Sequence, residues 1–124
     1  MKREIETQAV GSSSAFSQAV EVNGTVYVSG QIHADANWKL VGDTVTEKLA
    51  AIFDNIAAIL DVVDMAVDDI VKATVYVTDM SQLEELNREY PKYFRSATLP
   101  AREAVCVKEL PLGATIEISV IASR

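Results

Sequence analysis

TEKLAAIFDNIAAILDVVDMAVDDIVKATVYVTD, residues 46–79, changes its hydrophobic period partway along, and that change decides the fold. In its first part Leu49, Ile52, Phe53, Ile56, Ile59, Leu60 and Val63 recur every three or four residues, as one face of a helix does. Asp43 or Thr44 can cap that helix, with Glu47 in its first turn, and it should end near Asp64. From Asp68 the pattern alternates. Val71, Ala73, Val75 and Val77 face one way, and Lys72, Thr74, Tyr76 and Thr78 the other, which predicts a half-buried strand.

Upstream, "REIET" and "SQAVEV" read as strands, and Asn23-Gly24 is a strong hairpin signal joining the second of them to "TVYVSGQI". Downstream, Leu83, Leu86, Tyr90, Tyr93 and Phe94 predict a helix from about Ser81 to Phe94. Pro91 removes a backbone donor inside it, so a kink or an early end is expected there. Two strands close the chain, "AREAVCVKEL" and "ATIEISVIAS", with "PLG" as the turn that would make them a hairpin. In the last strand Ala114, Ile116, Ile118, Val120 and Ala122 share one face, while Thr115, Glu117 and Ser119 share the other. The order β-β-β-α-β-α-β-β predicts an α+β fold with a mixed sheet and two helices on one face. The other face mixes threonines, tyrosines and apolar residues, which points to an oligomer.

A length of 124 residues suits one domain, residues 1–124, and 49% apolar composition gives it a core. The net charge of −7, with no basic stripe, argues against binding nucleic acid. No apolar run approaches a membrane span, and the basic start "MKREIETQAV" lacks the apolar segment of a signal peptide. Cys106 is the single cysteine and has no internal disulfide partner, so a reducing, cytoplasmic compartment is expected. It sits among valines and is expected in the core as a small hydrophobe. His33 and Cys106 lie in distant segments, so no zinc-ligand spacing exists. The cluster Asp61, Asp64, Asp68 and Asp69 reads as a solvated loop with a capping residue.

Four places could carry chemistry. Arg102 heads an apolar strand, although arginine keeps its charge and is seldom buried alone. Glu117 lies opposite the isoleucine stripe of the last strand, and the expected hairpin would bring it near Arg102. Asn87 falls on the stripe of the second helix. Ser29 and Gly30 end the third strand, where a missing side chain would admit a ligand to the backbone. A structural Arg102–Glu117 ion pair and an Asn87 cap account for these residues as well as a pocket does. The sharper reading is a site for a small anion, with the arginine fork on a carboxylate and the glutamate on a water.

Taken in order, "FSQAV", "VYVSGQI", "DDIVKATVYVTDM", "LNREYPKYF", "PAREAV" and "LPLGATIEISVIA" resemble the RidA/YjgF family of imine deaminases, also described as endoribonuclease L-PSP-like proteins. The resemblance runs from about Ser14 to Ala122. It implies a chorismate-mutase-like homotrimer, sheets inward, with three pockets between subunits. It implies hydrolysis of 2-imino or enamine acids, such as 2-iminopropanoate, to 2-oxo acids and ammonia, with no cofactor and no metal. Arg102 matches the family's carboxylate-binding arginine, Glu117 the glutamate of the hydrolytic water, Asn87 the pocket asparagine, and Ser29 and Gly30 the pocket turn. Ala104 stands where many members have a cysteine, so a nucleophilic cysteine is not required.

Three departures stand out. Phe16 occupies the place of a common tyrosine and lacks its hydroxyl. Glu103 replaces a small residue, and strand alternation should turn it away from Arg102. His33 replaces a proline and is expected in a solvent-facing loop. The partner expected is a small 2-imino or 2-oxo acid, together with further copies of the chain. The alternatives are an endoribonuclease or translation inhibitor, which the charge opposes, and a non-catalytic binder of small 2-oxo acids, which Phe16 makes credible.

Overall fold

A computed structural model describes residues 1–124. Six strands form one sheet: β1 (Arg3–Ile5), β2 (Ala19–Val22), β3 (Thr25–Ile32), β4 (Ile70–Val77), β5 (Ala101–Cys106) and β6 (Ile116–Ser123). Helices α1 (Val45–Asp61) and α2 (Leu83–Glu89) complete the expected order. The strands lie in the order β1-β2-β3-β6-β4-β5, with β4 and β5 parallel and every other pair antiparallel.

Local chemistry explains most of these elements. Asn23 and Gly24 both take positive φ, 52° and 81°, which closes the β2–β3 hairpin with the twist that strands favour. Thr44 caps α1 in a reciprocal box: its hydroxyl accepts from the Glu47 amide, and the Glu47 carboxylate accepts from the amides of Asp43 and Thr44. Leu49, Ile52, Phe53, Ile56, Ile59 and Leu60 of α1 are buried against Ala73, Val75 and Val77 of β4 and Ile116, Ile118, Val120 and Ala122 of β6. Each of the larger side chains contributes about 1.5–3 kcal/mol by leaving water. No helix is long and apolar enough to cross a membrane.

Three expectations need correction. The second helix does not fill the span from Ser81 to Phe94: the α-helix covers Leu83–Glu89, and the early end expected at Pro91 takes the form of a 3₁₀ turn over Tyr90–Tyr93. Val71 does not share a face with Ala73. The register between β4 and β6 shifts between Ile70 and Lys72, so Ile70 is buried and Val71 is left 49% exposed.

The third correction matters most for the site. β5 and β6 do not form a hairpin, because β4 lies between them. β6 buries a side chain at every second position, and such a strand is most stable with neighbours on both edges. β5 has no buried side chain and takes the sheet edge, reached from β4 by the α2 crossover. The Pro111–Gly113 turn then carries the chain around the end of β4.

Candidate functional site

Glu117 lies beside Tyr76 and Ile32 in the sheet register, on the face away from the helices. Its carboxylate makes no hydrogen bond or ion pair within the chain, and desolvation pushes its pKa above the usual carboxylate range. Space for it comes from β3. The register shifts between Val28 and Gln31, a bulge that contains Ser29 and Gly30. A Cβ on Gly30 would stand 2.8 Å from the carboxyl carbon of Glu117. Gly30 therefore makes room for a carboxylate, where the sequence suggested room for a ligand.

Glu117 and Gly30 open into a cleft of about 390 Å³, walled also by Phe16, Ile32, Trp38 and Leu112, with Ser12, Ser13 and Pro111 at its edges. Ser29 is not part of it. Its hydroxyl donates to the Ser17 carbonyl at 2.6 Å and its amide to the Gln18 carbonyl at 2.9 Å, which fixes the strand that follows Phe16.

Arg102 lies elsewhere. It pairs in register with Ala73, whose side chain is buried under the helices, so Arg102 projects towards α2 at the sheet edge. One guanidinium nitrogen donates to Asn87 Oδ1 at 2.7 Å, and the guanidinium carbon sits 4.9 Å from the centroid of the Tyr90 ring. Tyr90 is held by the aromatic cluster of Phe53, Tyr93 and Phe94, with Phe53 and Tyr93 stacked at 4.2 Å. The guanidinium is thus held in a fixed direction, with most of its donors still unused.

The structure brings Arg102 to Asn87 and Glu117 to Gly30 and Phe16, but it does not bring these two groups together. The Arg102–Glu117 ion pair does not form, since β4 separates the strands and the side chains leave opposite faces. Glu103 points away from Arg102 as expected and forms a 2.8 Å ion pair with Lys72.

The profile of the endoribonuclease L-PSP family matches residues 6–124. The chain belongs to the RidA/YjgF family. It is 42% identical to a RutC family protein of Aquifex aeolicus over 98% of this chain and 99% of that one. It is 37% identical to the human 2-iminobutanoate/2-iminopropanoate deaminase over 98% of this chain and 90% of that one. The crystal structure of yeast Mmf1 superposes with a TM-score of 0.93 at 35% identity, covering 100% of this chain and 99% of that one.

Two further residues of this RidA/YjgF chain were read wrongly from sequence. His33 is 3% exposed. Its Nε2 accepts from the Thr115 amide at 3.1 Å, so Nδ1 carries the proton and donates to the Val41 carbonyl at 3.0 Å. Burial lowers its pKa, and nearby Lys48 adds to the effect. It ties the loop after β3 to the start of β6, and the sequence showed only a polar stretch around it. Cys106 is exposed, because β5 is an edge strand.

Sequence reasoning passed over two residues that shape the cleft. Gln18 is buried and donates to the carbonyls of Thr7, Val10 and Gly11 while accepting from the Thr7 amide, which pins the segment carrying Ser12 and Ser13. A glutamine opening a buried strand was the available signal. Trp38 Nε1 donates to the Ser12 carbonyl at 2.9 Å, and its ring covers Gly11, where a Cβ would come within 2.6 Å. Nothing in the local pattern of "HADANWKL" marked it.

Proposed function

We propose that this protein hydrolyses 2-imino or enamine acids to 2-oxo acids and ammonia, in sites completed where copies of the chain meet. The observation that carries the reading is the unpaired, desolvated carboxylate of Glu117 facing an apolar cleft. A carboxylate whose pKa is raised by such surroundings is a stronger base than an exposed one and is suited to proton transfer. The name of the human relative supports the same chemistry.

Arg102, oriented by Asn87 and Tyr90, binds the substrate carboxylate through its planar fork. It leaves the sheet on the face opposite Glu117, so the arginine over a given cleft comes from a second copy. The half-apolar open face supports assembly, and a homotrimer of chorismate-mutase-like form is the arrangement proposed. Glu117 takes a proton from water as the water oxygen bonds to the imine carbon and the C=N electron pair moves onto nitrogen. Passing that proton to nitrogen gives the carbinolamine. Transfer of the hydroxyl proton to the amine then lets the C–N bond break, leaving a 2-oxo acid and ammonia. Positioning and charge supply the rate gain, since the uncatalysed step is already fast.

The test is a coupled assay in which an amino-acid oxidase generates imines beside the purified protein. Faster appearance of 2-oxo acid than the spontaneous rate is expected. An unchanged rate across alanine, 2-aminobutanoate and leucine imines would reject the proposal. Sedimentation velocity measures the assembly, for which three copies are expected.

A further inference from the structure

Four non-glycine residues hold positive φ: Asn23 at 52°, Trp38 at 62°, Asp64 at 58° and Leu112 at 60°. Asn and Asp adopt this region readily because their short polar side chains bond locally. For bulky side chains it is disfavoured, and such an outlier is a reason to look for function. Both bulky outliers wall one cleft, and it is the cleft of Glu117.

Neither outlier is demanded by its loop. The Trp38 turn is built by Asp35, whose carboxylate accepts from the amides of Asn37 and Lys39 and whose amide donates to the Lys39 carbonyl. The turn needs a left-handed residue at position 38, which glycine or asparagine would supply with less strain. Leu112 lies in the Pro111–Gly113 turn and is 61% exposed, so it adds nothing to the core. Folding therefore accounts for the left-handed backbone at both positions and for one edge of the Trp38 indole, which bonds to Ser12 and covers Gly11, but not for the large apolar side chain of Leu112 or for the indole surface turned to the cleft. Together with Phe16 and Ile32 those side chains make one side of the cleft apolar, while Glu117 marks its reactive end. The volume of about 390 Å³ exceeds what the smallest imino acids need and falls within the range of ordinary ligand sites.

We propose that Trp38 and Leu112 are specificity-determining residues that fit this cleft to 2-imino and 2-oxo acids bearing a branched or aromatic apolar side chain. The proposal rests on the reading of the Glu117 cleft as the site of imine hydrolysis, and it commits that site to a side-chain class. The reacting carbon of such a ligand lies near Glu117, and the side chain extends between the Trp38 indole and Leu112. A hydrophobic pocket separates ligands that differ by a methylene by about tenfold or more.

The test is calorimetric titration of the assembled protein with pyruvate and with 4-methyl-2-oxopentanoate, in the wild type, Trp38→Gly and Leu112→Gly. Glycine suits both left-handed positions, and Leu112→Gly alters an exposed turn, so at least that variant stays folded. The wild type is expected to bind the branched acid at least tenfold more tightly than pyruvate, and each variant to lose most of that ratio. Trp38 is the only tryptophan, so its emission should change on titration with the branched acid. A wild-type ratio near one, no binding of either acid, or the same ratio in all three proteins overturns the proposal. The imine assay separates this from the catalytic reading. Selective binding without imine hydrolysis rejects the deaminase and keeps the side-chain class, whereas hydrolysis without selectivity does the reverse.

Discussion

Gly30 and Glu117 face each other across the β3–β6 pair, and a single methyl group on Gly30 would collide with the Glu117 carboxyl group. Gly30 does not hold a positive φ, so its role is spatial. Gly30→Ala should leave the fold intact, because the obstructing atoms are the movable end of a side chain. It should displace the carboxylate by an ångström or more, and a shift of that size costs about 10²-fold in rate. Thermal unfolding and kcat/KM on 2-iminopropanoate check the two halves: a midpoint near that of the wild type, and a large loss of activity.

The role proposed for Glu117 fixes how hydrolysis should respond to pH. Desolvation raises its pKa above the ordinary value of 4.5, so hydrolysis that needs the carboxylate should begin to fail at a pH above 4.5 as the solution is acidified. Glu117→Gln keeps the shape, removes that acid limb and lowers kcat by about 10²–10⁴-fold. A pH profile of kcat/KM for both proteins measures this. An acid limb that persists in the variant would assign the titration to another group.

In the proposed site Asn87 is a positioning residue that acts through Arg102. Asn87→Ala removes the 2.7 Å bond that aims the guanidinium, while Tyr90 still supports it from one face. KM for the carboxylate substrate should rise about tenfold with kcat little changed, since one neutral partner of a charged group is worth about 1.5 kcal/mol. Arg102→Ala should abolish deamination in a folded oligomer, and Arg102→Lys should recover only part of it because an ammonium cannot make the paired bonds. Steady-state kinetics separate the three variants, and circular dichroism verifies their folding.

What the sequence revealed and concealed follows from the range of the interactions involved. The periods that build α1, β4 and β6, the Asn23-Gly24 turn and the break at Pro91 are local, and each was legible. The neighbours of β5 were not, because inserting β4 between β5 and β6 depends on which strand gains most from burial on both edges. That one error produced the false Arg102–Glu117 proximity. The register shift at Val71 and the burial of His33 were hidden for the same reason: both depend on contacts with β6, some 50 residues or more further on. The residue types of the candidate site were legible through their resemblance to a family. Their division between two faces of one sheet needed the topology.

His33 gives a stability prediction in a window where few other groups titrate. Its Nε2 must accept from the Thr115 amide, so only the neutral ring fits, and burial lowers its folded pKa below 6.5. The unfolded chain therefore binds the proton first. The stability from this residue is fully present above pH 6.5 and is lost as pH falls from there through the lowered folded value. Glu47, Asp79, Glu85 and Glu89 have lowered pKa values and respond at more acidic pH. Glu117 is the exception, because its raised pKa makes the folded state gain relative stability as pH falls through that value, opposing His33. Thermal melts in the Glu117→Gln background remove that opposition, and the midpoint should fall steadily between pH 7 and pH 5. His33→Phe should flatten this slope. It should also lower stability at pH 7, by on the order of 1–3 kcal/mol for each of the Thr115 amide and Val41 carbonyl left without a partner. A slope that survives in His33→Phe would show that the proton is taken up elsewhere.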